Sequence, residues 1–512
     1  MQANWIDGQW RPAAEVRGDW QAVDPRSGEH FGEHFPICGW ADVDAALGAA
    51  AAACAGLADA ESGQVAHFLD DYATRIEGHL PQLAVIAERE TGLPQTPRLL
   101  SVEGPRTVHQ LRLAAAAARE DSWRDVVVDR ANGIARCRQP LGKAVWCIGP
   151  NNFPLAFNGI SGSDFASAIV ARNPVIAKAH PGHPNTTLML AQLAAAALQA
   201  SGLPPATVQL IHHLQPEDGL RMAADTRLGA IGFTGSQRSG LALKAAADRG
   251  GALSYLELGS VNPVFVLPGA ANHDGDSFSE AFLAGATLGG GQFCTNPGLL
   301  VLPQSARAQL LVQQLAERYR ALPPAQLLGE AVAQGLHHAV ARLCAAGAEL
   351  CAGSADPFGP GFRFPWTLLS VAAERYLQQA EVLQQEAFGP LTLVVHSATA
   401  DQRKAIVHGL EGQLTGTLWL ASDGSDDPEA ATLGQRLRPK VGRLLENKLP
   451  PGVAVSPAMH HGGPFPSSVH PGFTAVGMPA AILRFTQLAC YDNVARARLP
   501  AVIAERWDHA EA

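Results

Sequence analysis

Cys294 stands inside GGGQFCTNPG, residues 289–298, a cysteine flanked by glycines after an apolar, helix-like run. Most isolated cysteines are small buried hydrophobes. Glycines on both sides instead leave a thiol where a substrate can reach it. Upstream, LELGS (256–260) ends a β-type run on Glu257. Further upstream, PNNFP (150–154) is a turn rich in side-chain amides, with Asn152 at its centre. A thiol, a carboxylate that can take a proton and an amide that can donate to an oxyanion are the parts of an oxidation through a thioester. An asparagine in a turn can equally cap its own backbone.

Four further stretches carry chemistry. GFTGS (232–236) closes a strand-like run and opens a helix. Its free backbone N–H groups and helix dipole would suit an anion such as a pyrophosphate at Gly235 and Ser236. No G-x-G-x-x-G accompanies it, so the turn alone is equally consistent with a structural role. Lys178 ends PVIAKAH (174–180), a position on the ligand-binding edge of a parallel sheet, although a single lysine is more often solvated. QEAFGP (385–390) places Glu386, able to accept ribose hydroxyls, and Phe388, able to pack beside a flat ring, on a loop before LTLVV. HHGGPFP (460–466) and the pairs 212–213 and 337–338 bring histidines together in sequence. Adjacent residues point apart and no HExxH spacing occurs, so no metal site is expected. A G-x-S-x-G elbow is also lacking, which argues against serine hydrolysis.

The elements that must position these groups follow from periodicity. Residues 43–60, 63–92 and 98–120 have helical spacing. Residues 125–144 hold two β-like runs around Asn132-Gly133, a hairpin signal. From there strands at 144–150, 174–180, 207–214, 228–235 and 252–259 alternate with helices at 158–172, 184–200, 217–225 and 236–250. That alternation predicts an α/β fold with a parallel, doubly wound sheet and ligands at the strand carboxyl ends. A second α/β region follows: a strand in NPVFVLP, a helix at 277–289, a strand in LLVLP, and helices at 305–321 and 331–348. The run 481–491 is strand-like and could pair with the 125–144 hairpin.

The chain has 512 residues, enough for two or three domains, and 47% of them are hydrophobic, which suits an ordered protein. A net charge of −9 without a basic cluster argues against nucleic acid as a partner. The alanine-rich runs are flanked by charge, so no membrane span is expected. Eight scattered cysteines form no CxxC, and the amino terminus lacks a signal-peptide layout. A cytoplasmic location is therefore expected.

In their order along the chain, PNNFP, Lys178, GFTGS, LELGS, GQFCTNPG, QEAFGP and HGGPFP resemble the aldehyde dehydrogenase superfamily, over roughly residues 20–495. GQFCTNPG and ELGSVNP look most like the branch of NADP-linked fatty-aldehyde and α-ketoglutaric semialdehyde (2,5-dioxovalerate) dehydrogenases. The resemblance implies a Rossmann-like parallel-sheet NAD(P)-binding domain (1–124 and 145–257), an α/β catalytic domain (258–455) and a small β oligomerisation arm (125–144 and 480–497) making a homodimer or homotetramer. It implies Cys294 as nucleophile, Glu257 as general base, and Asn152 with the Cys294 N–H as oxyanion donors. Lys178 would contact the adenosine ribose, Gly235 and Ser236 the pyrophosphate, Glu386 the nicotinamide ribose and Phe388 the nicotinamide. Phe157, Phe293, Thr295 and Phe465 would line the substrate channel. Many NAD-preferring members carry a glutamate three residues after the ribose lysine; Pro181 stands there, which favours NADP while admitting NAD. No arginine for the 2′-phosphate is evident, nor one in the channel for a substrate carboxylate. The expected activity is oxidation of a small-molecule aldehyde, 2,5-dioxovalerate or a related semialdehyde, to the acid. Alternatives are a long-chain or aromatic aldehyde, acylation of coenzyme A, whose enzymes usually lack the base glutamate, or a non-catalytic family member.

Overall fold

The computed structural model describes residues 1–356 and 359–509. Its first sheet contains five parallel strands in the spatial order Leu253–Glu257, Leu228–Thr234, Ala144–Ile148, Val175–Lys178 and Val208–Ile211. Two antiparallel strands, Asn4–Ile6 and Gln9–Arg11, complete the edge. The order reverses at Ala144–Ile148, so the chain fills one side of that strand and then the other. Such a reversal opens a crevice at the carboxyl ends.

These strands are apolar throughout because both faces are covered. Val145, Cys147, Val175, Ala177 and Leu210 enter a core with the helices Ser62–Thr91, Gly104–Glu120 and Pro184–Ser201. Their neighbours Ala144, Trp146, Ile176 and Ile211 point the other way, into a core with Trp40–Ala58. That alternation is the two-residue period of a strand. Trp40–Ala58 is long and apolar enough to cross a membrane by composition. Here it is a core helix: Val43, Ala46, Leu47, Ala50 and Leu57 form its buried stripe.

The second seven-stranded sheet runs Glu349–Ala352, Thr367–Ala372, Leu391–Ser397, Leu299–Pro303, Val264–Val266, Gln413–Trp419, Val441–Glu446. Only its first pairing is antiparallel among the described residues. A small antiparallel sheet joins Val127–Asp129, Ile134–Pro140 and Thr486–Asp492, so the hairpin and the carboxyl-terminal run do pair. The run begins at Thr486, because Ala480–Phe485 is a 3₁₀ turn.

Two expectations shift. The strand expected over 207–214 divides at His212, which is buried with its N–H donating to Asn4 Oδ1 at 3.1 Å. Beyond it, His213–Leu214 leaves the sheet to pair with Glu29–Cys38. The helix expected over 158–172 is only Ser163–Val170. The segment before it is packed against the sheet as turns. A Cβ at Gly149 would stand 2.3 Å from the Phe157 carbonyl oxygen, and one at Gly159 2.7 Å from that of Cys147. The glycines therefore permit a close backbone approach that a helix would not make.

Arg484 fastens the carboxyl-terminal run to this core. It is buried, ion-pairs with Asp164 at 2.6 Å and lies over Phe485 at 4.9 Å. Removing one partner of a buried pair leaves the other charge uncompensated. Asp164→Ala is therefore expected to cost about 3–5 kcal/mol of stability, read from the first transition in chemical denaturation. A loss below about 1 kcal/mol, the size of an exposed pair, would show that Asp164 does not carry the Arg484 charge.

Candidate active site

The Cys294 loop is held by its glycines and by three asparagine and glutamine side chains. Gly289, Gly290 and Gly291 have φ of 58°, 67° and 72°, a left-handed run that side chains disfavour. A Cβ at Gly291 would also stand 2.4 Å from the Gly389 carbonyl oxygen. Gln292 ties the loop inward: its amide donates to Gln326 O at 3.0 Å and its oxygen accepts from Leu328 N at 2.9 Å. Asn152 Nδ2 donates to Gln292 O at 2.8 Å, and Asn262 Nδ2 donates to Cys294 O at 2.9 Å. The PNNFP and ELGSVNP segments thus clamp the thiol loop from two sides.

Glu257 is the last residue of Leu253–Glu257 and is 1% exposed. Its carbonyl accepts from Gly235 N at 3.1 Å, and Leu258 N donates to Ser467 O at 2.8 Å. The returning loop that carries Ser467 also carries His461. Glycine makes this possible: Gly442 and Gly462 approach so closely that a Cβ at Gly442 would stand 1.8 Å from Gly462 O. His461 Nε2 lies 3.1 Å from Glu257 Oε1 and 3.5 Å from Cys294 Sγ. The contact to the carboxylate is close but off-line, since neither Glu257 oxygen has a well-aligned donor. The ligand-capable atoms of Glu257, Cys294 and His461 fall within 4.8 Å of one another. An imidazole thus sits between thiol and carboxylate.

Burial pushes the Cys294 thiol well above its ordinary range, and the Glu257 charge beside it adds to the rise. Burial also pushes Glu257 upward, but the charge and contact of His461, with the Cys294 thiol close by, leave it net below the usual carboxylate value. The carboxylate is therefore ionised and the resting thiol protonated. An adjacent base must remove that proton for the thiol to react, and the geometry supplies His461 and Glu257.

An aromatic wall stands beside the thiol. Phe153 meets Phe157 edge-on at 5.1 Å and Phe293 at 5.3 Å, and Phe157 lies 6.3 Å from the His461 ring. Phe157 and Phe293 are therefore together as expected, and Thr295 is buried next to Cys294 in the chain. Phe465 is not with them. It is 64% exposed, because the loop turns outward where its carbonyl accepts from Gly412 N. Phe153, Arg98 and Glu103 were not anticipated. Glu103, fully buried, pairs with Arg98 at 2.5 Å and accepts from Leu155 and Ala156 N. Arg98 donates to Asn152 O at 2.8 Å. This pair holds the PNNFP turn, and nothing in local spacing marks it.

At the carboxyl ends of the first sheet lies a cavity of 540 Å³ lined by Trp146, Lys178, Pro181, Gly235, Ser236 and Arg238. Ser236 caps Gln237–Gly250 by accepting from Ser239 N at 3.3 Å. Burial lowers Lys178 to about 8, and it forms no ion pair among the described residues. A half-buried Lys178, a helix amino terminus and an exposed Arg238 around one crevice fit a dinucleotide phosphate. Glu386 and Phe388 line a second, small cavity with Ser260, Gly291 and Phe293. Burial raises Glu386 to about 7 against the Ser260 backbone hydrogen bond. Its carboxylate fills the space where a Gly259 side chain would stand, 2.6 Å from that Cβ position.

The sequence pattern of the aldehyde dehydrogenase family fits residues 10–488. Alpha-ketoglutaric semialdehyde dehydrogenase 2 of Azospirillum brasilense is 33% identical over 95% of this chain and 94% of its own. The alpha-ketoglutaric semialdehyde dehydrogenase of Acinetobacter baylyi is 34% identical over 86% and 84%. Among solved structures, a mutant of aldehyde dehydrogenase C of Pseudomonas syringae in complex with NAD+ and octanal superposes with TM-score 0.82 at 24% identity, covering 97% of this chain and 98% of that one. With a family pattern over most of its length and relatives similar to nearly the whole chain, the chain belongs to the aldehyde dehydrogenase family.

Proposed function

We propose that this enzyme oxidises α-ketoglutaric semialdehyde (2,5-dioxovalerate), or a closely related semialdehyde, to the acid through a thioester on Cys294. The placement of His461 Nε2 between Cys294 Sγ and Glu257 Oε1 carries the chemical part of this reading. The two semialdehyde dehydrogenases similar to nearly the whole chain support the substrate.

His461, backed by Glu257, accepts the thiol proton as Cys294 Sγ bonds to the aldehyde carbon. The Asn152 amide and the Cys294 N–H steady the oxyanion, a contribution commonly worth roughly 10²–10³ in rate. Bound nicotinamide supplies the acceptor for the hydride that leaves this carbon. Glu257 then takes a proton from water, whose oxygen bonds to the thioester carbon as the carbon–sulfur bond breaks. An ionised base beside the thioester favours hydrolysis over transfer to coenzyme A and speaks against a non-catalytic member. The Phe153–Phe157–Phe293 wall favours a second reading, a long-chain or aromatic aldehyde. Turnover of purified enzyme on a panel of oxo-acid, aliphatic and aromatic aldehydes decides between the two. Better turnover of neutral aldehydes than of oxo acids would overturn the semialdehyde reading. The cysteines are all free, which suits a reducing, cytoplasmic setting.

Two variants separate the proton steps. In Glu257→Gln, one equivalent of reduced cofactor should appear as a burst, followed by slow turnover, with an acyl adduct on Cys294 by mass spectrometry. In His461→Gln, iodoacetamide should alkylate Cys294 about 10²-fold more slowly at pH 7. The deficit should shrink as pH rises, because hydroxide then removes the proton. Full steady-state activity in the glutamine variant of Glu257, or unchanged alkylation without His461, would remove the respective role.

For the cofactor we propose a preference for NADP. Lys178 and Arg238 line the cavity with Pro181, whose carbonyl accepts from Trp20 Nε1 at 2.8 Å. No carboxylate side chain lines that cavity among the described residues. Pro181→Glu would put one beside the cationic groups. It should weaken NADP at least about tenfold more than NAD in a fluorescence titration, the scale of one charge contact. Equal losses would show that this position does not face the ribose.

For assembly we propose that Thr486–Asp492, one of the two outer strands of the small sheet, pairs with another copy. Leu488 on it is 57% exposed, as an edge awaiting a partner would be. Leu488→Asp should lower the oligomeric mass seen by light scattering. An unchanged mass would place the interface elsewhere.

A further inference from the structure

We infer that Arg106, with Arg443 anchored on the same loop, binds the distal carboxylate of the substrate and so selects a short oxo acid over a neutral aldehyde. The inference rests on the semialdehyde reading above and assigns its charge recognition to particular residues.

Three guanidinium groups stand around the thiol, and they differ in what satisfies them. Arg98 is neutralised: Glu103 pairs with it at 2.5 Å, and the other Glu103 oxygen accepts from Leu155 and Ala156 N. Arg106, on Gly104–Glu120, has no such partner. Its Nε donates to Gln110 Oε1 at 3.2 Å and its Nη1 to Val453 O, while its Nη2 is buried without an acceptor. Arg443, on Val441–Glu446, donates from Nη2 to Pro450 O at 2.9 Å, while its Nε is buried without an acceptor. Neither forms an ion pair among the described residues. A buried donor left unmade is costly, and a guanidinium lacking a counter-ion more so.

The two arginines share an anchor. Pro450 and Val453 lie on the same short stretch of loop, so one piece of backbone anchors both arginines. The Arg106 guanidinium lies 5.5 Å from the Phe157 ring centre, and Phe157 is the ring 6.3 Å from His461. The Glu103 charge acts on Arg106 and the Glu257 charge on Arg443, and a thiolate formed at Cys294 would attract both. A substrate whose aldehyde carbon meets Cys294 and whose chain runs along Phe157 therefore ends against Arg106. A carboxylate there accepts from Nη2, and a 2-oxo oxygen beside it can accept from the same cluster. A neutral alkyl end leaves those donors unpaired, and an unmet polar group is what lets a site reject an analogue strongly.

The test compares wild type, Arg106→Met and Arg106→Lys on 5-oxopentanoate and on pentanal, of equal chain length, and on 2-oxoglutarate binding by calorimetry. In wild type, kcat/KM should favour the oxo acid. In Arg106→Met the oxo-acid preference should fall by about 10–100-fold, mostly through KM, as for loss of a charge-assisted contact. The 2-oxoglutarate affinity should fall in parallel, and the lysine variant should keep part of both. Losses of equal size on the two aldehydes would mean that the Arg106 charge serves the thiolate, which overturns the inference. So would an unchanged 2-oxoglutarate affinity. If Arg106→Met fails to fold, Arg106→Lys and Arg443→Gln carry the same comparison, and full retention of the preference in both overturns it. A wild type that shows no preference for the oxo acid would instead defeat the semialdehyde reading itself.

Discussion

The structure depends on keeping an ionised carboxylate buried within reach of a thiol. Glu257 is 1% exposed, and burial by itself would drive it neutral. A carboxylate anion there also opposes formation of the neighbouring thiolate. His461 meets both groups from one position, because one ring nitrogen lies 3.1 Å from the carboxylate and 3.5 Å from the thiol. The cost of placing it there is paid in backbone architecture. The Gly442–Gly462 approach and the Leu258–Ser467 contact bring a loop from the end of the chain against a strand of the first sheet.

That requirement ranks the glycines of the motifs. The left-handed Gly289–Gly291 run turns the loop so that Cys294 is presented and Gln292 is buried. Gly259 leaves space that the Glu386 carboxylate fills. Gly291 and Gly259 are each explained by a carbonyl or side chain of the QEAFGP segment, so these segments fit as a set. The buried Arg98–Glu103 pair extends the same logic to the PNNFP turn. A pair of this kind adds little net stability, but it fixes one arrangement of a loop that would otherwise have several.

The legible part of the fold was the part with a local cause. Buried strands such as Val175–Lys178, ended by loops and followed by amphipathic helices, announce the parallel sheet without knowledge of its partners. The hairpin at Asn132-Gly133 and the Ser236 cap are local as well. Cys294, Glu257 and Asn152 were legible through the order of their motifs, and the structure places all three in one site. What was not legible arises from contacts distant in the chain. His461 was visible only as half of a histidine pair, and its partners lie in two other segments. Arg98, Arg106 and Arg443 look like ordinary surface arginines on helix and strand patterns. Only the fold shows that one is neutralised and two are not. The division of the 207–214 run at His212 has the same origin, since Asn4 captures the backbone there.

The crevice of the first sheet and the buried Glu257 carboxylate are coupled by register. Thr234 and Glu257 are opposed in the parallel pair Leu228–Thr234 and Leu253–Glu257, and Gly235 N donates to the Glu257 carbonyl. The turn that faces the cavity and the residue that faces the thiol are therefore hydrogen-bonded neighbours at the end of two adjacent strands. A slip of one residue would send Glu257 to the opposite face of the sheet and move the Gly235–Ser236 turn out of the crevice. Both strands are largely buried, and the register is pinned at their ends, where Glu257 must face the thiol and Gly235 N must meet the Glu257 carbonyl. The first sheet thus fixes the distance between the crevice and the Glu257 carboxylate. The loops from the second half of the chain need only bring Cys294 and His461 to a position already defined.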